Sequence, residues 1–167
     1  MSDPDERTAG PEPGESEKER VDRELIELLN GLRVILPGVQ VLLAFLLTVP
    51  FSSRFPNLSR TEHVLYFLSV LLTVGAIAAL TLPAAYHRIR FREGDKERML
   101  EISNAFAIGG LILLALSMAA VVFLVTDVLF GTEVSAPVAF VVLAVVGGVW
   151  FGIPLWRKAE DDERSQG

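Results

Sequence analysis

The chain has 167 residues, enough for one ordinary domain, with 51% hydrophobic and 22% charged residues, no cysteine and a formal net charge of −6. The missing cysteine excludes disulfides, thiol catalysis and cysteine-based metal or iron–sulfur sites. The net acidity reflects acids crowded into the first 33 residues, so it says little about the apolar remainder.

Residues 1–16 are Pro, Gly, Glu, Ser and Asp with almost nothing apolar. Such a segment cannot bury enough surface to offset the entropy of ordering, and the composition predicts a disordered acidic tail. No short basic region followed at once by an apolar run opens the chain, so no cleavable leader is expected.

From Glu17 the pattern changes. Val21, Leu25, Leu28, Leu32, Ile35, Val39 and Leu42 alternate steps of four and three, the stripe of an amphipathic helix. Residues 17–36 are expected to form an amphipathic cytoplasmic helix, lying on the inner membrane surface or packed under the bundle. A second reading of the stripe is a short parallel coiled coil between two protomers. Pro37 removes the backbone bond to the Arg33 carbonyl, so with Gly38 it predicts a kink or break near Leu36. Gln40, one turn further on, is a candidate amide for satisfying the freed backbone groups.

Four stretches follow without Asp, Glu, Lys, Arg or His: Val34–Ser53, Val64–Tyr86, Ile102–Thr126 and Val134–Trp156. Roughly 20 apolar residues suffice to cross a bilayer as a helix. Residues 34–157 are therefore read as a transmembrane domain with spans at 34–53, 64–86, 102–126 and 134–156, and 158–167 as a polar tail. The fold class expected is all-α, an integral membrane antiparallel four-helix bundle with a preceding amphipathic inner-surface helix. Four soluble buried helices are the weaker reading, because these segments lack a polar face.

Lys and Arg number five before the first span, two in the first connection, five in the second, none in the third and three in the tail. Placing both termini in the cytoplasm puts 13 of the 15 inside, as the positive-inside rule favours. Trp150, Trp156, Tyr66 and Tyr86 then fall near span ends, where amphipathic rings favour the interface.

Asp127 is the deepest acid. A carboxylate near a helix C-terminus is unfavourable, so a partner is expected, and on this topology only Arg54 and Arg60 share its side. His63 and His87 fall on opposite faces and cannot share a metal within one protomer. The segment Tyr86, His87, Arg88, Ile89, Arg90, Phe91, Arg92 meets the inner leaflet with three arginines and two aromatics. It sets topology, and it is also a candidate for anionic lipid head groups or for docking Glu24 and Glu27. Ala144, Gly148 and Gly152 repeat a small residue every fourth position, as do Gly75 with Ala79, Ala105 with Gly109 and Ala115 with Ala119. That spacing lets membrane helices approach closely, within the bundle or between protomers.

No HExxH, cleft-forming carboxylate pair or Gly-rich phosphate loop is present, so no catalytic residue, metal or cofactor is expected and the protein reads as no enzyme. Proton-coupled transport usually needs an ionisable group in the membrane. Small multidrug exporters have one in their first helix, where this chain offers Gln40. A passive pore lined by Ser69, Thr73, Thr81, Ser117 and Thr126 is the alternative, although such hydroxyls commonly bond their own helix. The favoured expectation is a non-enzymatic multi-pass protein of the cell membrane that assembles with itself or a membrane partner, with the bilayer itself as surroundings and no nucleic-acid partner.

The runs from Glu24 to Arg33, Leu36 to Phe51, Ala85 to Arg88 and Val125 to Gly131 resemble those of a family of small four-span bacterial, mainly actinobacterial, membrane proteins classed only as a domain of unknown function. The resemblance covers about residues 20–157. It implies membrane location and no established activity. Some similar sequences carry a sodium:proton antiporter label, which the absence of an intramembrane carboxylate argues against here.

Overall fold

The computed structural model describes residues 17–90 and 96–152. The tails expected at 1–16 and 158–167 lie outside the described residues. Among those described, four α-helices carry the fold and no strand occurs: α1 (Glu17–Thr48), α2 (Arg60–Arg90), α3 (Lys96–Phe130) and α4 (Thr132–Gly147). Two 3₁₀ turns, Val49–Phe51 and Phe55–Asn57, link α1 to α2, and a π-helical turn, Gly148–Gly152, continues α4. Each of the four is long and apolar enough to cross a membrane.

α1 corrects one expectation. It is a single helix of 32 residues that runs through Pro37, about 48 Å at 1.5 Å per residue. The anticipated surface helix and the span it precedes are one continuous helix, with no break at Pro37. The stripe explains why. Leu25, Leu32, Val39 and Leu46 stand seven apart and are all 2–6% exposed, while Leu28, Ile35 and Leu42 pack beside them on the same core. One seam therefore holds α1 against α2 and α3 along its length, and losing one backbone bond at Pro37 does not interrupt it. The same burial removes the stripe from any coiled coil with a second protomer. Pro37 and Gly38 lie on the exposed side. Gln40 is also exposed and makes no hydrogen bond among the described residues, so it does not serve the freed carbonyl.

α2 begins with a capping box. The Ser59 N–H donates to the Glu62 carboxylate, and the Glu62 N–H donates to Ser59 Oγ at 3.3 Å, which satisfies two of the donors a helix start leaves free. α2 and α3 are antiparallel: Ser69 meets Ser117, Gly75 faces Leu113 and Leu80 faces Gly110. They approach tightly at Gly110, where an added methyl falls 2.7 Å from Leu80 Cγ and 3.2 Å from the Leu80 backbone nitrogen. Only a residue without a side chain lets the two backbones come this near. The repeat Ala105/Gly109 is not the contact, since nothing lies within 4 Å of a methyl built on Gly109.

A single residue, Gly131, joins α3 to α4, at φ 86° and ψ 169°, a conformation that favours glycine. α4 packs on α3 and touches neither α1 nor α2 among the described residues. Of the four helices, α1, α2 and α3 therefore pack on one another, and α4 adds to α3 alone.

Candidate functional site

The polar groups of the four helices collect in three places. The first is the α2–α3 seam. Ser69, Thr73 and Ser117 are fully buried. Thr73 Oγ1 lies 2.8 Å from the Ser69 carbonyl and 2.6 Å from Ser117 Oγ, while Ser117 Oγ donates across to the same Ser69 carbonyl at 3.0 Å. Ser69 Oγ donates to the Tyr66 carbonyl at 2.7 Å. Ser69 and Thr73 bond their own helix, as expected, whereas Ser117 bonds across to α2 and with Thr73 ties α2 to α3. Thr81 bonds only the Ile77 and Ala78 carbonyls of its own helix. The seam does not continue along the helices. Leu80, Ala107 and Leu114 fill the core that follows, and Ser103 beyond them is buried with no hydrogen-bond partner for its hydroxyl.

The second place is the end where α1 meets α2. Pro50 has no N–H, so the Leu46 carbonyl four residues back lacks its helical donor. Tyr66 Oη reaches across from α2 and donates to that carbonyl at 3.0 Å. Leu46, Tyr66 and Leu124 form a small buried cluster around the bond. Phe55 stands edge-on to Tyr66 at 5.1 Å and to His63 at 4.8 Å. His63 Nδ1 lies 2.9 Å from the Ser59 carbonyl. Sequence reading placed Tyr66 at the interface but missed its bond. Pro50, which orphans the Leu46 carbonyl, was the signal that could have found it.

Asp127 marks the third place, at the same end. Its carboxylate accepts from Thr132 Oγ1 at 2.8 Å and lies 3.3 Å from Ser135 Oγ. This corrects the pairing expected with Arg54 or Arg60, which are exposed and make no ion pair among the described residues. The reason is local. The one-residue turn at Gly131 brings the first turn of α4, hydroxyls and positive helix end together, next to the last turn of α3. A carboxylate five residues from one donor and eight from the next needs no arginine brought in from another connection.

At the opposite end, the first half of α1 and the start of α3 enclose a shallow groove of about 430 Å³ lined by Glu24, Glu27, Leu28, Leu100, Glu101 and Asn104. Glu27 is paired along its own helix with Arg23 at 3.5 Å. Glu24 and Glu27 therefore face α3, and whether they also meet the basic segment lies outside the described residues. So do the side chains of His87, Arg88 and Arg90, and Arg92 entirely. Tyr86 is half-buried at the end of the described part of α2. Gly148 and Gly152 lie exposed with Ala144 on α4, and nothing stands within 4 Å of a methyl built on either glycine. No group of three His, Cys, Asp or Glu gathers as a metal site among the described residues.

The chain belongs to a family of unknown function, DUF6328, whose model matches residues 14–154. No curated protein and no solved structure matches it.

Proposed function

We propose that this member of the family is a non-enzymatic, multi-pass protein of a bacterial cell membrane, with both termini cytoplasmic, that works by assembling with itself or with a membrane partner. The observation that supports this reading is the open side of α4. That helix rests on α3 alone and presents Ala144, Gly148 and Gly152 outward with no neighbour filling the space above them. Elsewhere the chain already uses such residues for close approach, at Gly75 and Gly110. A second helix can approach α4 the same way. Arg88, Arg90 and Arg92 supply an anionic-lipid contact at the cytoplasmic surface in this orientation.

A pore is the weaker alternative. Its lining hydroxyls at Ser69, Thr73 and Ser117 are buried and bonded to each other or to backbone, and the apolar residues beyond them interrupt a polar path. Proton-coupled exchange has still less support, because none of the four uncharged stretches offers a group to carry the proton.

The chain's lack of cysteine makes the test direct. Gly148→Cys in native membranes should give a disulfide-linked species on mild oxidation, either a dimer or a cross-link to a partner bearing a thiol. Val34→Cys, 80% exposed on α1, serves as the control. Equal cross-linking at both positions, or none at Gly148, sinks the reading.

A further inference from the structure

The groove between α1 and α3 combines two kinds of surface. Leu28 and Leu100 line it half-buried, while Glu24, Glu27, Glu101 and Asn104 stand exposed around them. Arg23 meets Glu27 at 3.5 Å, but Glu24 and Glu101 make no ion pair among the described residues. Such a groove fits a segment that is apolar and basic at once. The described chain ends close by. Trp150, in the last turn after α4, packs on the same core as Leu28, and that core includes Ala107 of α3. Asn104 and Leu100 lie one and two turns nearer the start of α3, about 5 and 10 Å along its axis. Past Gly152 the sequence continues as Ile153, Pro154, Leu155, Trp156, Arg157 and Lys158, with nine residues more. Pro154 disfavours continuing the helix through Ile153. Six extended residues reach at most about 20 Å, enough to arrive at the groove.

We propose that residues 153–158 form a strap that leaves α4 and docks in this groove, with Leu155 and Trp156 against Leu28 and Leu100, and Arg157 and Lys158 among Glu24, Glu27 and Glu101. The other basic run at this end is less suited to the site. The five residues 91–95 have to close the joint between α2 and α3, whereas the tail is tethered at one end only. Tethering makes docking an intramolecular event with an effective concentration in the mM range, so a contact of modest affinity stays filled. Exposed ion pairs are weak singly. The apolar residues therefore carry the affinity, and the charges set the register. The four acids that follow, Glu160, Asp161, Asp162 and Glu163, match no part of the groove, which places the end of the strap at Lys158. α4, which rests on α3 alone, gains a second hold on α1. The strap does not depend on the assembly proposed for the outward face of α4.

The test uses the full-length protein in lipid nanodiscs, where the chain carries no cysteine of its own. Asn104→Cys paired with Ala159→Cys should form a disulfide within one chain on mild oxidation. It should form about tenfold faster than in Val34→Cys paired with Ala159→Cys, because Val34 is 80% exposed on α1 and does not line the groove. Adding Glu24→Gln and Glu101→Gln to the first pair should slow it several-fold, and so should about 1 M salt, which screens exposed charges. Equal rates for the two pairs overturn the strap, as does a rate that ignores both the neutralised glutamates and the salt. Disulfides that form only between chains overturn it as well, and assign the groove to a second copy.

Discussion

Two single residues carry contacts that no neighbour can replace. Tyr66→Phe removes the hydroxyl that donates to the Leu46 carbonyl where Pro50 offers no N–H. Hydrogen bonds between helices in a bilayer average about 0.6 kcal/mol and reach about 1.7. This one should lie toward the upper end, because its acceptor is a buried backbone group with no helical alternative. Unfolding by denaturant in mixed micelles should report that loss, while the neighbouring Ser69→Ala, which removes a bond within one turn of its own helix, should cost less. Gly110→Ala tests sterics. The new methyl would sit inside the contact distance of Leu80, with backbone as well as side chain in the way, so the helices must separate. A loss of about 1–3 kcal/mol is expected. Gly109→Ala, one residue away with open space around it, should be neutral or slightly stabilising through helix propensity.

At the scale of elements, α1 separates what a sequence announces from what it withholds. The alternating three-and-four stripe was legible, and each of its positions from Leu25 to Leu42 is buried or packed on the core. Its partner was not legible, because a period gives the face of a helix and not what lies against it. Pro37 pointed to a kink or a break for a sound local reason, and packing along the seam keeps the helix unbroken there. Asp127 shows the same limit from the other side. That it needed a partner followed from its place at a helix end. Which partner depended on the one-residue turn at Gly131, whose φ is invisible to charge counting. The α2–α3 approach was half legible: small-residue spacing marked Gly75 correctly but chose Gly109, four residues after Ala105, over Gly110, whose neighbours at that spacing are Phe106 and Leu114. The seam reading itself yields a contrast. Leu32→Ala should lose about 2–5 kcal/mol, whereas Val34→Ala, two residues on and 80% exposed, should change stability by no more than about 0.5 kcal/mol.

For the whole molecule the decisive property is asymmetry. Three helices of 31–35 residues exceed the roughly 20 needed to cross a bilayer, while α4 with its π-helical turn is only 21 residues long. The α1–α2 and α3–α4 connections lie at one end, so in the membrane placement proposed above the surplus length of α1, α2 and α3 would emerge at the other. That is also the end where Arg23, Arg90, Lys96 and Arg98 stand. Helix length and charge therefore agree on which end leaves the membrane, although they come from different physics: one from the thickness of the hydrocarbon layer, the other from the cost and bias of moving Lys and Arg across it. The agreement predicts a labelling pattern. In intact cells, a membrane-impermeant thiol reagent should reach Phe51→Cys, at the short-connection end and almost fully exposed, and should not reach Glu24→Cys on α1. After the membrane is made permeable both should react. Labelling of Glu24→Cys in intact cells would invert the orientation and place the His63 cluster in the cytoplasm.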